Sequence, residues 1–357
     1  MLLTIIAFIV VLGILILAHE FGHFITAKLS GVKVLEFSIG FPPRIFSWKR
    51  GETKYTIGAL PFGGYVHMLG EDENSKDPRA YNNMSPGKRA LIGIAGVIMN
   101  VVLAWVLLSI GFMIGMTPIA TPSSQIGGTE VKPQIFVVQV EDGSAAENAG
   151  IKIGDQIVGT DKVEFTDLNS VSSFTKNNAG QSVELEIKEN NVTSTKKVSL
   201  PADKTAPLGV GLVDQGIVKV AWYKAPAVAL RESYEIVKFM FNFLGGVFKQ
   251  LFATATISSG VGGPVAIYNL SGAAARAGMA AFIQFIAILS LNLALVNILP
   301  FPALDGGRVL FIILEKIYGK RIVKEEVEGL VHTIGFILLI LFMLAVTYKD
   351  VARLIHK

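Results

Sequence analysis

The residues with most chemistry to offer are His19-Glu20-Phe21-Gly22-His23, an H-E-x-x-H run closing an apolar stretch that begins at Met1. On an α-helix, residues four apart share a face, so His19 and His23 can turn their imidazoles toward one ion. Glu20 stands about 100° further round the helix, within reach of a water polarised by that ion. Two neutral imidazoles with an open coordination position suit catalytic Zn²⁺, and the glutamate is then the expected general base. In soluble chains such a run arises often by chance. Inside an apolar helix two histidines and a glutamate have nothing to solvate them, so their presence there needs a reason.

A third ligand must come from another part of the chain. With no cysteine among the 357 residues, it has to be His, Asp or Glu. The segment Pro300-Phe301-Pro302-Ala303-Leu304-Asp305-Gly306-Gly307-Arg308 places one carboxylate in a Pro- and Gly-rich break directly against an apolar stretch. Asp305 there reads equally as a turn former before two glycines or as a ligand presented at membrane depth. Asn100 and Asn297 are polar residues in apolar stretches, and both read as interhelical hydrogen-bonding groups.

The elements that must hold these residues are membrane spans. The chain is 51% hydrophobic, with a mean hydropathy of +0.53, too apolar for an ordinary soluble domain. A net charge of +4 is small for this length and argues against nucleic-acid binding. Spans are expected over about 2–28, 90–116, 279–299 and 330–346. The first lacks a basic leader and a small-residue cleavage site, and is read as retained. Between the first two spans, 32–71 mixes strand formers with turn signals at Arg50-Gly51 and Leu60-Pro61-Phe62-Gly63-Gly64-Tyr65-Val66. It reads as β-hairpins packed on protein, because open strands cannot face lipid.

From 119 to 207 the pattern becomes that of a soluble β-rich domain, with period-two runs at 135–140 and 183–187. Between them Ser144 can cap a short helix that ends at Gly150, followed by a strand to Ile157. Residues 218–252 read as an amphipathic surface helix returning to the membrane, and 258–265 as irregular backbone. The fold class is thus a polytopic α-helical membrane protein with about four spans, a membrane-associated β-hairpin region and one inserted β-rich domain. The divisions are 1–118, 119–207, 208–276 and 277–357. Basic residues at the span ends, among them Lys28, Lys33, Arg44, Lys88, Arg89, Arg308 and Lys316, put those loops inside. Both termini and the inserted domain are then outside, and the two halves of the metal motif meet toward the cytoplasmic side.

Taken together, the H-E-x-x-H in the first span, Asn297-Ile298-Leu299-Pro300 leading to Leu304-Asp305-Gly306-Gly307, Gly63-Gly64-Tyr65-Val66 and Gly262-Gly263-Pro264-Val265 resemble the site-2 protease family of intramembrane zinc metalloproteases, in its bacterial RseP/RasP branch. The inserted segment, Asp142-Gly143-Ser144-Ala145-Ala146 onward, resembles a PDZ domain of the bacterial type. The resemblance implies His19, His23 and Asp305 as Zn²⁺ ligands and Glu20 as catalytic acid/base. It implies Asn297 as a group holding substrate or oxyanion, with Gly63, Gly64 and Tyr65 contacting substrate. It further implies cleavage of single-span transmembrane proteins, already shortened by another protease, in a bacterial cytoplasmic membrane. Anti-sigma factors and remnant signal peptides are substrates of that kind. A peptide ligand for the PDZ-like domain and contact with membrane lipid complete the expected partners, and nucleic acid is excluded. A metal carrier using the same three ligands, or a peptide-binding scaffold, are the rival readings.

Overall fold

The computed structural model describes residues 1–71, 75–126, 130–132, 134–189, 192–202, 207–254, 262–320, 323 and 325–355. In chain order the elements are α1 (Leu2–Leu29), β1 (Val34–Arg50), β2 (Thr53–Met68), α2 (Pro86–Ile114), β3 (Glu130–Lys132), β4 (Ile135–Val140), α3 (Ala145–Asn148), β5 (Gln156–Gly159), α4 (Leu168–Asn177), β6 (Ser182–Glu189), β7 (Val192–Ser199), β8 (Val210–Asp214), β9 (Ile217–Lys219), α5 (Ala225–Thr254), α6 (Pro264–Ala277), α7 (Met279–Asn297), α8 (Asp305–Tyr318) and α9 (Glu325–Ile355). Among the described residues, four helices are long and apolar enough to cross a bilayer: α1, α2, α7 and the Glu326–Ala352 part of α9. The protein is a polytopic membrane protein with β-rich regions. It divides into one unit of Met1–Leu108 with Ile236–Lys357 and a second of Ser109–Glu235.

In the first unit β1 and β2 form one folded ribbon rather than separate hairpins. Arg50 pairs with Thr53 across a two-residue turn whose Gly51 takes a left-handed φ of 62°. Glu36 to Ile39 face His67 to Gly64 on one side, and on the other run in step with Lys54 to Ile57. The order across the ribbon is therefore 44–50, 53–57, 34–39, 64–68. The run 53–57 is interior, and the outer edges are 44–50 and 64–68. Val34, Phe37, Val66 and Met68 pack on Ala27 and Ile92, which fixes the ribbon against α1 and α2. The Glu52 carboxylate at its tip accepts from Arg79 at 2.8 and 2.7 Å and from Lys28 at 2.7 Å. Those cations hold it down to about 2.

Several boundaries differ from those the sequence suggests. α7 stops at Asn297, because the residues before Pro300 cannot continue a helix. α9 begins before and ends beyond 330–346, its charged ends extending the apolar middle. The segment after Leu304 is a helix of 14 residues, not a turn followed by a charged loop. Gly306, Gly307, Val309 and Ile312 make its buried face, and the paired glycines hide that periodicity. Of the irregular segment 258–265, residues 258–261 lie outside the described residues. Pro264 opens α6, a position where its missing N–H costs nothing.

The second unit carries a five-stranded sheet in the order β7-β6-β5-β4-β8. Ile135, Val137, Ile157, Leu185 and Ile187 build its core. The Ser144 hydroxyl caps α3 by accepting from the Glu147 N–H at 3.1 Å. The sheet takes in β8, beyond residue 207. The helix expected from 218 begins only at Ala225, because Ile217–Lys219 instead pairs antiparallel with β3. Glu232 is 1% exposed, and its carboxylate accepts from the N–H groups of Ile119, Ala120 and Thr121 at 2.6, 2.9 and 3.1 Å.

Candidate metal centre

α1 carries His19 and His23 one turn apart, with Nε2 atoms separated by 3.3 Å. α8 brings Asp305 to them as its first residue, where the helix N-terminus favours a negative charge. Asp305 Oδ2 lies 3.1 Å from His19 Nε2 and 3.4 Å from His23 Nε2. Zinc–ligand bonds of ~2.0–2.1 Å at tetrahedral angles put neighbouring donor atoms about 3.3–3.4 Å apart. Two of the three edges match that figure, and the His19–Asp305 edge is slightly shorter. Asp305 Oδ2 is buried yet makes no hydrogen bond of acceptable geometry. A carboxylate oxygen left without a hydrogen beside two ring nitrogens is a donor set for a cation, and these residues fit zinc.

The rings are oriented from α2. His23 Nδ1 lies 2.8 Å from the Ile92 carbonyl, so it carries the proton and leaves the Nε2 lone pair free. His19 Nδ1 lies 3.1 Å from Asn100 Nδ2, and Asn100 is fully buried with its Oδ1 unpartnered. A metal-facing Nε2 requires a proton on Nδ1, so the amide oxygen of Asn100 is the atom that belongs against it. One helical turn before Asn100, Gly96 leaves room for both rings, since a Cβ there would fall 2.7 Å from His19 Cε1. Ser290 of α7 donates to the Asn100 carbonyl at 2.8 Å and ties a third span to this point.

A cleft of about 450 Å³ opens beside the three donors. Glu20 lines it, as do Gly64, Tyr65, Val66 and Met68 of the 64–68 edge. A Cβ on Gly64 would lie 3.0 Å from Glu20 Cγ, so only glycine lets the strand pass this close to the glutamate. Further along the cleft, Arg308 donates to Glu71 at 2.8 Å. Burial pushes the Tyr81 phenol up to about 12, so it stays neutral.

The structure thus brings together His19, Glu20, His23, Asp305, Gly64 and Tyr65. Gly63 lies on the same strand, where a Cβ would press into the Phe41 ring. Asn297 ends α7, half-buried, and is not among the residues lining the cleft. Asn100, Ile92, Gly96, Glu71, Tyr81 and Arg308 carry no metal-motif signal of their own. The Gly96–Asn100 spacing of four, one helical turn, is the trace that could have placed Asn100 beside the histidines.

Residues 7–342 match the model of Peptidase family M50. This chain belongs to that family. A Clostridium acetobutylicum protein named as a zinc metalloprotease is 39% identical over 95% of this chain and 94% of its own. The Regulator of sigma-W protease RasP of Bacillus subtilis is 29% identical over 98% of this chain and 99% of its own. The Regulator of sigma E protease of Salmonella typhi is 30% identical over 98% of each. The protein is a zinc metalloprotease of the site-2 protease family.

Proposed function

We propose that this membrane metalloprotease is an endopeptidase that hydrolyses peptide bonds within the transmembrane segments of other proteins, with zinc held by His19, His23 and Asp305. The observation that carries the reading is the triangle of donor atoms at tetrahedral-edge spacing, beside Glu20, at the end of a membrane-spanning helix. Zinc bound there supplies a Lewis acid that lowers the pKa of water and polarises a carbonyl. Glu20 takes the proton from the attacking water and returns it to the leaving nitrogen. The Ile92 carbonyl and the Asn100 amide keep both imidazoles in the tautomer that faces the site.

A transmembrane helix hides its carbonyls in its own hydrogen bonds, so the substrate has to unwind before it is cut. The 64–68 edge has no strand on its outer side among the described residues, and it passes Glu20. Strand addition there would hold the unwound segment extended, with Gly63 and Gly64 admitting its backbone and Tyr65 contacting its side chains. Asn297 joins this set as a group that holds substrate or oxyanion once the substrate is seated.

The names of the Bacillus and Salmonella relatives, regulators of sigma-W and of sigma E, support substrates of the anti-sigma type; prior shortening by another protease and remnant signal peptides as substrates rest on the motif resemblance. Basic residues near the span ends support a multi-pass protein of the bacterial cytoplasmic membrane with the inserted domain of 119–207 and both termini outside. The second unit is read as PDZ-like. Its β8 edge offers a place for a peptide, and its bulk offers a filter against substrates with large outer domains.

The decisive test is cleavage of a truncated single-span protein by the purified enzyme in detergent, with Glu20→Gln alongside. The wild type should cut, a chelator should stop it, and Glu20→Gln should keep its zinc and not cut. Retention of cutting by Glu20→Gln removes the proposed acid/base, and absence of zinc from both removes the ligand set.

A further inference from the structure

Two residues before Asp305 the backbone does something its sequence does not require. Ala303 has φ 75°, the one non-glycine residue with positive φ among the described residues. A side chain is held in the left-handed region only where its surroundings over-determine it. Here α9 does so at two adjoining points. The Ala303 N–H donates to His332 Nδ1 at 2.9 Å. Three residues on, Gly335 sits so close to Pro302 that a Cβ would fall 2.6 Å from the Pro302 carbonyl oxygen.

The turn is gripped from α8 as well. A Cβ on Gly306 would strike the carbonyls of Ile298 and Leu299, and one on Gly307 would strike that of Phe301. The His332 ring lies 5.7 Å from the ring of Phe311, itself on α8, at an interplanar angle of 59°. Asp305 follows this clamped turn directly, and Ala303 lines the metal cleft.

We propose that His332 is a positioning residue for the metal centre: by accepting the Ala303 N–H it fixes the left-handed turn that aims the Asp305 carboxylate at His19 and His23. The proposal rests on reading Asp305 as the third zinc ligand. It gives the last span, which holds none of the three donors, a part in setting their geometry. It also fixes the chemistry needed at position 332. The group must accept at the place of Nδ1. Asparagine puts its Oδ1 there, glutamine moves its acceptor to the place of Nε2, and leucine accepts nothing.

The test is zinc affinity of the purified full-length protein in detergent, read by competition with a chromogenic chelator, with substrate cleavage as the second readout. His332→Leu and His332→Gln should each bind zinc ~10-fold or more weakly. His332→Asn should stay within about threefold of wild type, because it keeps the acceptor where the turn needs it. Adding Ala303→Gly to His332→Leu should recover part of the loss, because glycine takes this φ without strain.

Wild-type affinity in His332→Gln overturns the proposal, as does a loss in His332→Asn equal to that in His332→Leu. Should His332→Leu fail to fold, the asparagine and glutamine variants decide between them. Asp305→Asn separates this idea from the one beneath it. If Asp305→Asn binds zinc as wild type does, the ligand reading fails. If it loses zinc while every His332 variant keeps it, the clamp alone fails.

Discussion

Two buried carboxylates in this protein are treated in opposite ways. Glu232, in the second unit, has its charge answered by three backbone N–H groups between 2.6 and 3.1 Å. Asp305, in the first, has a buried oxygen with no hydrogen bond and two imidazole nitrogens as neighbours. A carboxylate that accepts from three backbone donors has both oxygens engaged, so it organises the chain. One kept short of donors is costly in isolation and holds its lone pairs for a cation. The contrast separates a structural acid from a ligand better than burial does, since both side chains are largely out of solvent.

The sharpest way to break this contrast is to neutralise each acid in turn. Asp305→Asn should lower zinc affinity and peptide cleavage by ~10³-fold or more, since the one negative charge of the ligand set is lost. The zinc-free protein should melt no earlier than the wild type, because an unanswered charge has been removed. Metal analysis with a melting curve checks both halves. An Asp305→Asn protein that keeps zinc but unfolds early would make Asp305 the structural acid.

Orientation of the donors should matter next. Asn100→Leu removes the acceptor behind His19 and should weaken zinc binding by ~10–100-fold. Asn100→Asp keeps an acceptor and should retain zinc, which equilibrium dialysis of both variants would reveal. On the other side of the comparison, Glu232→Gln turns one acceptor oxygen into a donor facing backbone N–H. It should cost ~1–3 kcal/mol of stability and leave zinc content untouched, as paired denaturation and metal assays would show.

The smallest effect belongs to a half-exposed acid. Glu52 is held down to about 2 by Arg79 and Lys28. A depressed carboxyl adds stability above its unfolded value, and loses it as pH falls through the folded one. The difference between wild type and Glu52→Gln should therefore be flat from neutral pH to about 5 and vanish toward pH 2. Its size should not exceed ~2 °C in melting temperature, because solvent screens the pair.

What could be read from the sequence divides along the same line. His19, Glu20 and His23 were legible because their geometry is local, four residues on one helix. The spans were legible because their length and apolarity are one-dimensional quantities. Asp305 was only half legible. Its type and setting fit a ligand, but Gly306-Gly307 suited a turn just as well, and the two glycines disguised the helix that aims the carboxylate. Asn100 looked like any polar residue in a span, because its partner lies 81 positions away. The Ile92 carbonyl has no side-chain signature at all. In the ribbon, 53–57 pairs on one side with 44–50 across the local Arg50–Thr53 turn, but on the other with 34–39, a pairing no local pattern announces. The strand that reaches the metal site is 64–68. Ala303 was illegible, since alanine gives no sign of a left-handed backbone.

One contact between spans closes a seam beside the histidines. Gly22 and Ala95 meet so closely that a single methyl on Gly22 would run into the Ala95 carbonyl, with Met99 Cβ at 2.9 Å. The seam between α1 and α2 is therefore a wall, with no breadth for a third chain. On the other flank of the histidines the cleft is lined by Gly64, Tyr65 and Val66 and by the Arg308–Glu71 pair.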